Sequence, residues 1–392
     1  MRYQLRYVRD AGAGTSPLLR FETITHRPGT LQSGTGPAGS DIMCGVTGPC
    51  AHLGGMLATG LVDVTRDLGA LDSDGWWAVV LPYDDAPVLA RFADVRSAPP
   101  PTGRWTGPGR DAWSSSMSRQ QYVDAVETVR ARIAAGDVYQ ANVCRVLAAA
   151  VPDPAAADVA GLARLIAAGN PAPYAGFVRL PDGCHPGVPD GGVAVATASP
   201  ELFLRRAGDV VESGPIKGTG RTEADLTPKD SAENVMIVDL VRNDLGAVCR
   251  TGSVSVPSLL AVEHHPGLVH LVSTVRGELA PGAGWPDLVA ATFPPGSVTG
   301  APKSSALRII DEVELAARGP YCGAVGWVDA AARTAELAVA IRTFWVRYGE
   351  VRFGTGAGIT WGSDSEREWD ETLLKADRLL TVASGSTTGL EG

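Results

Sequence analysis

Four kinds of residue in this chain could do chemistry, and the first is one lysine. In GPIKGT (214–219) a glycine, a proline and a second glycine bracket Lys217 just past an apolar segment, which reads as a rigid turn. A lysine held in a turn is a positioned charge or, if desolvation lowers its pKa, a nucleophilic amine. The second kind is acidic. Glu368 and Glu371 lie three apart on one face of the last helical segment, with Lys375 four beyond Glu371. They form a solvated face with one ion pair, or, joined by Glu233 from another helix, a set of oxygen ligands suited to Mg²⁺. The third kind sits in apolar surroundings. Arg342 in ELAVAIRTFWV needs either an internal salt bridge or a ligand carboxylate, because an unpaired buried guanidinium is costly. His270 in LVHLVST is a satisfied core histidine or an acid–base group, whereas His264 and His265 read as exposed loop residues. The fourth kind is glycine. FPPGSVTGAPK (293–303) puts small residues before a helix N-terminus, and FGTGAG (353–358) lets backbone approach a ligand. Neither cluster matches a phosphate-binding loop, so nucleotide binding is not supported.

Several elements must position these groups. Residues 1–50 read as irregular or disordered, being rich in Gly, Thr, Ser and Pro from 22 onward, and 98–110 as a Pro/Gly-rich linker. GLVDV and WWAVVLPY (76–83) read as strands. Ser118 with Gln121 makes a capping box, and Tyr122, Val126, Val129 and Ile133 recur at helical spacing up to Gly136. A strand over 137–151 follows, then a hairpin over 201–213 that turns at Gly208–Asp209. Pro228 opens a helix stopped at Gly246, and Pro302 one stopped at Gly319. Strands GAVGWVDA, ELAVAIRTFWVRYG and VRFGTGAGITWG precede a last helix, REWDETLLKADRLLTVA. Strands and helices mix with no regular βαβ repeat, so the expected class is α+β with mixed or antiparallel sheets.

A net charge of −9 disfavours nucleic acid or an anionic membrane as partner, though a cleft can still be locally positive for a small anion. The opening MRYQLRYVRD carries charges where a signal peptide needs an apolar core. No run of about 18 apolar residues offers a membrane span. The six cysteines show no CxxC or metal-ligand spacing and read as reduced thiols, so a cytoplasmic location is expected.

In order along the chain stand SPELF, GPIKGT, AENVMIVDLVRNDLG, VHLVST, PPGSVTGAPK, YCGAVGW, AIRTFWV, GAGI and EWDETLLK. Their combination, from about Ser118 to about Val382, resembles the chorismate-utilising enzymes. The resemblance implies two large, mostly antiparallel β-sheets packed face to face with outer helices and a cleft for the active site. It makes 51–110 a variable N-terminal part with a linker, 111–385 the chorismate-binding catalytic region and 386–392 a tail. It also implies Mg²⁺ on Glu233 and Glu371, with Glu368 close by, bridging to the ring carboxylate of chorismate. Arg342 and Tyr321 resemble the groups that hold the pyruvyl side, Ser297, Gly358 and Lys375 other substrate-contact positions, and Glu201 and His270 the acid–base residues. No LLES-like stretch is present, so no tryptophan feedback site is expected.

Two positions separate the branches of that family. Relatives that add water to chorismate carry an activating lysine where this chain has Gln140, in YQANVCR, and a glutamine cannot serve as that base. PIKGT, where anthranilate synthases usually have PIAGT, resembles aminodeoxychorismate synthase component I. The implied chemistry is attack of Lys217 on C2 with loss of the C4 hydroxyl, then addition of ammonia at C4, toward 4-aminobenzoate and folate. The chain shows no GxCxG elbow of a glutaminase, so a separate glutamine amidotransferase subunit is the expected ammonia source. The alternatives are anthranilate synthase component I, with amination at C2 and pyruvate loss, and a chorismate-binding subunit without turnover.

Overall fold

In the computed structural model, which describes residues 48–265 and 268–385, the side chains of one long strand alternate between two destinations. On Gln140–Ala150, residues Ala141, Val143, Leu147 and Ala149 pack beneath helices, while Cys144 and Val146 enter a central core. This is the period-2 pattern of a strand buried on both faces.

The strands in chain order are Cys50–Leu53 (β1), Met56–Thr65 (β2), Trp76–Leu81 (β3), Val88–Ser97 (β4), Ser114–Ser115 (β5) and Gln140–Ala150 (β6). Tyr174–Leu180 (β7), Val193–Ser199 (β8), Leu202–Ala207 (β9), Val210–Gly214 (β10), Ile216–Gly220 (β11) and Ser255–His265 (β12) follow. The last six are Leu268–Glu278 (β13), Gly300–Ala301 (β14), Ala324–Asp329 (β15), Thr334–Val339 (β16), Thr343–Arg347 (β17) and Glu350–Ile359 (β18). The helices are Arg119–Ala134 (α1), Val159–Gly169 (α2), Pro228–Gly246 (α3), Trp285–Thr292 (α4), Lys303–Val313 (α5) and Ser365–Ala383 (α6).

Every strand pairing is antiparallel. One layer runs β12, β13, β10, β9, β16, β15, β3 and β4, with β11 also on β13. The other runs β2, β1, β7, β8, β17, β18 and β6, with β5 and β14 on β6. The β2–β4 pairing joins them, so the expected α+β class holds with the layers continuous as one curled ladder. Side chains of both layers share the central core, Val146, Val178 and Val195 packing with Phe203, Val275 and Leu337. Helices α1, α2, α5 and α6 lie outside β6, β7, β8 and β18, and α3 lies on β11–β13. Burying each large apolar side chain contributes about 1.5–3 kcal/mol.

The helix starts follow their sequence signals. Ser118 and Gln121 form the capping box of α1, and Thr227 and Asp230 one at α3 with Pro228 in its first turn. Three expected elements differ. The helix from Pro302 ends at Val313 rather than Gly319, because Glu314 turns extended and gives its carboxylate to Arg318 and to the Cys144 N–H. The single strand expected through Arg342 breaks after Val339. There the Ile341 N–H turns back to the Val339 carbonyl, and Arg342 adopts a positive φ of 51°. His264 and His265 belong to β12 rather than to a loop. Residues 1–47 and the tail from 386 lie outside the described residues. No helix among the described residues is long and apolar enough to cross a membrane.

Candidate active site

Lys217 is carried not by a turn but by β11, and the glycine after it makes a bulge. Lys217 pairs with Leu271 and Thr219 with His270, so two steps on β11 answer one on β13. Gly218 sits at φ 76°, the region in which a side chain is strained, and a Cβ there would lie 2.9 Å from Cβ of Asp230. The bulge is thereby seated on the first turn of α3.

Around the Lys217 ammonium position the ends of the curled ladder meet. Its Nζ lies 3.5 Å from the Ser297 carbonyl oxygen. From the other end of the ladder, Gly358 of β18 presents bare backbone: a Cβ there would stand 3.8 Å from Lys217 Nζ and 2.5 Å from Nε2 of Gln140. The FGTGAG glycines at 354, 356 and 358 all face inward, so the Tyr321 ring can lie directly on Gly354. Glu201, 5% exposed, accepts hydrogen bonds from the Ser297 hydroxyl and the Ile216 N–H.

Charge and burial oppose each other here. Burial lowers the Lys217 pKa, which Glu201 and Glu233 partly offset and Lys375 reinforces. Burial raises that of Glu201, with Ser297 and Lys217 pulling it back. Both shifts favour a neutral amine beside a neutral carboxylic acid.

Two helices bring carboxylates to the rim. Glu233 of α3 has an Oε1 buried without a hydrogen-bond partner among the described residues, and its nearest cation, Lys229, is 3.6 Å away. On α6, Glu368 is 6% exposed and bonded by the Ser363 hydroxyl, while Glu371 pairs with Lys375 at 2.6 Å. Burial and the Glu371 charge raise the Glu368 pKa; Lys229 of α3 acts on it in the opposite sense. Charged groups of the two helices are therefore within electrostatic reach of each other, which sequence spacing alone does not show. Among the described residues no three acidic, His or Cys side chains converge as a ready metal cage. The orphaned Glu233 oxygen and the Glu371 carboxylate fit the lesser demand of Mg²⁺, which takes one or two carboxylates and fills the rest with water and substrate oxygens.

Arg342 projects from the break between β16 and β17. Burial alone lowers its pKa, and no carboxylate or hydrogen-bond partner faces its side chain among the described residues. Its neighbourhood is tied to the acid, since Val339 donates its N–H to the Glu201 carbonyl. Tyr321 is 6% exposed, its hydroxyl pKa pushed well up by burial. His270, 2% exposed, stands on β13 opposite Thr219 and Glu263. Lys375 spans α6 and β18, donating to the Gly356 carbonyl at 3.1 Å. Sequence reasoning used Gln140 only to argue against water addition. In the structure its Oε1 and Nε2 are both buried at the site with no hydrogen-bond partner among the described residues.

A family model for the chorismate binding enzymes matches residues 81–381, most of the chain. This chain belongs to that family. Its relatives include anthranilate synthase component 1 1 of Haloarcula marismortui, 41% identical over 283 residues, 69% of this chain and 55% of the relative. Aminodeoxychorismate synthase component 1 of Klebsiella aerogenes is 36% identical over 311 residues, 76% and 65% respectively. This chain thus spans 55–65% of the length of these two relatives. The fold matches that of the menaquinone-specific isochorismate synthase of Escherichia coli, with a TM-score of 0.71 at 19% identity over 87% of this chain and 90% of that one.

Proposed function

We propose that this chorismate-binding enzyme aminates chorismate at C4, giving 4-amino-4-deoxychorismate on the way to 4-aminobenzoate and folate. The observation that carries the reading is Lys217, a half-buried amine held beside Glu201 and facing the bare backbone of Gly358.

In this reading the neutral Lys217 amine attacks C2, the ring double bonds shift, and the C4 hydroxyl leaves as water after taking the Glu201 proton. The substituted ammonium on C2 keeps its proton. Ammonia adds at C4, the double bonds shift back, and the Lys217 nitrogen leaves C2 as the neutral amine. Ammonia loses its extra proton to Glu201, which closes the cycle. Arg342, partly desolvated and without a counter-charge among the described residues, binds the pyruvyl carboxylate. Gln140 offers one donor and one acceptor to the substrate. His270 stands by the bulge as the second acid–base group. Glu233 and Glu371, with Glu368 behind them, would hold Mg²⁺, whose charge would anchor the ring carboxylate. The ammonia comes from a glutamine amidotransferase partner.

Incubating the protein with chorismate, Mg²⁺ and excess ammonium at mildly alkaline pH, and identifying products by mass spectrometry, tests this. Aminodeoxychorismate without pyruvate is the expected result. Anthranilate with pyruvate would establish the second reading, which the 41% identity to an anthranilate synthase component favours, and would leave Lys217 without a covalent role.

A further inference from the structure

The segment carrying Ser297 touches both members of the acid–nucleophile pair, so whatever fixes that segment fixes their geometry. Its entry is tied down by Lys303, which donates to the Thr292 carbonyl at 3.0 Å and to Asp244 at 2.7 Å. Its exit is held by Arg318, 1% exposed. Arg318 Nη1 donates to the Val298 carbonyl at 2.9 Å and Nη2 to the Asn142 carbonyl at 2.8 Å. The same guanidinium forks onto Glu314, Nε to Oε2 at 2.9 Å and Nη2 to Oε1 at 2.7 Å. Glu314 Oε1 also accepts the Cys144 N–H at 2.8 Å. Asn142 closes the circle by donating its own N–H to the Thr299 carbonyl at 2.8 Å. The guanidinium lies 4.3 Å from the Tyr83 ring centroid, and the Arg318 N–H is bonded by Asp84.

We propose that Arg318 and Glu314 are positioning residues: their ion pair sets where the Ser297 segment stands against β6, and so holds Ser297 against Glu201 and Lys217. Val298, whose carbonyl Arg318 takes, is the next residue after Ser297, and Asn142 is two along β6 from Gln140. One guanidinium thus joins the Ser297 segment, whose carbonyl faces the Lys217 amine, to the β6 residue that pairs with Gly358. A lysine could replace the charge but not the fork, because its three donors radiate from one point. With the fork gone the Ser297 segment loosens, water reaches the Lys217 amine, and the amine regains basicity. The catalytic half of this inference rests on the amination reading; the effect on Lys217 does not.

Acetic anhydride labelling of Lys217 across pH, read by peptide mass spectrometry, tests it in the full chain without turnover. Arg318→Lys and Glu314→Gln are compared with wild type and with Leu162→Ala, which opens a cavity in the α2 core away from the site. The expected result is a Lys217 labelling midpoint at least about half a pH unit higher in both pair variants and unchanged in Leu162→Ala. In turnover assays the pair variants lose about tenfold or more in kcat with KM for chorismate within about twofold. If they lose Tm as Leu162→Ala does but keep the wild-type midpoint, the pair is structural only and the proposal fails. Should Arg318→Lys not fold, Glu314→Gln decides, since its amide keeps the shape and one acceptor. A wild type that turns over no chorismate sinks the amination reading and leaves the labelling result standing.

Discussion

Lys217 and Gly358 face each other from near opposite ends of one continuous sheet, the place of a Cβ on Gly358 being 3.8 Å from Lys217 Nζ. Position 358 is therefore a gauge of the space between the Lys217 amine and the β18 backbone.

Gly358→Ala is expected to weaken chorismate binding by about tenfold or more while changing Tm little. The new methyl meets the Nε2 of Gln140, the far end of a flexible side chain, so the fold yields cheaply while the site narrows. Calorimetric titration with chorismate beside a thermal melt checks this; unaltered binding would place the substrate elsewhere.

Lys217→Met should end amination and change how stability depends on pH. Burial lowers the folded-state pKa of Lys217, so the unfolded chain holds that proton to higher pH than the folded one. Stability then rises with pH across the window between the folded value and the ordinary lysine value. Measured from about pH 7 to 10, the Tm of wild type should climb relative to Lys217→Met. A constant difference would mean that the amine is solvated in the folded state.

Arg342→Asn keeps a residue that tolerates the positive φ and removes the guanidinium. Loss of a charge-assisted pair with a carboxylate predicts chorismate affinity lower by about tenfold to a hundredfold. Tm should hold or rise, because a half-buried charge without a counter-charge among the described residues has gone. A large fall in Tm would show that Arg342 has an internal role.

Glu371→Gln is expected to remove the Mg²⁺ response. Titrating Mg²⁺ calorimetrically in the presence of chorismate separates binding from turnover, and an unchanged isotherm would take Glu371 out of the metal set. The same substitution frees Lys375 from its 2.6 Å partner, so a fall in Tm of only a degree or two is expected from this half-exposed pair.

Local signals in the sequence read well. The α1 capping box, the start of α3 at Pro228 and the β9–β10 hairpin at Gly208 follow from residue types a few positions apart. The misread places are those where a distant partner outweighs the local preference. Glu314 would extend α5 by its propensity, but the buried fork of Arg318 draws it out. GPIKGT carries turn residues, yet β13 pairs with it and converts the turn into a bulge. Arg342 interrupts an apolar run because the backbone reverses at Ile341. Likewise the approach of both Glu233 and Glu371 to Lys217 depends on strand pairings that span the chain, and no spacing within either helix encodes it.

The continuity of the ladder has a consequence for how the site comes into being. Lys217 and Gly358 are joined through β13, β10, β9, β16, β15, β3, β4, β2, β1, β7, β8 and β17, so their separation sums the twist of every intervening strand pair. A deletion in β3 or β1, far from Lys217 in the ladder, would be transmitted to the Lys217–Gly358 gap. Such long-range pairing also folds slowly. The pairing of β3 with β15, which lie far apart in the sequence, is among those on which the Lys217–Gly358 gap depends.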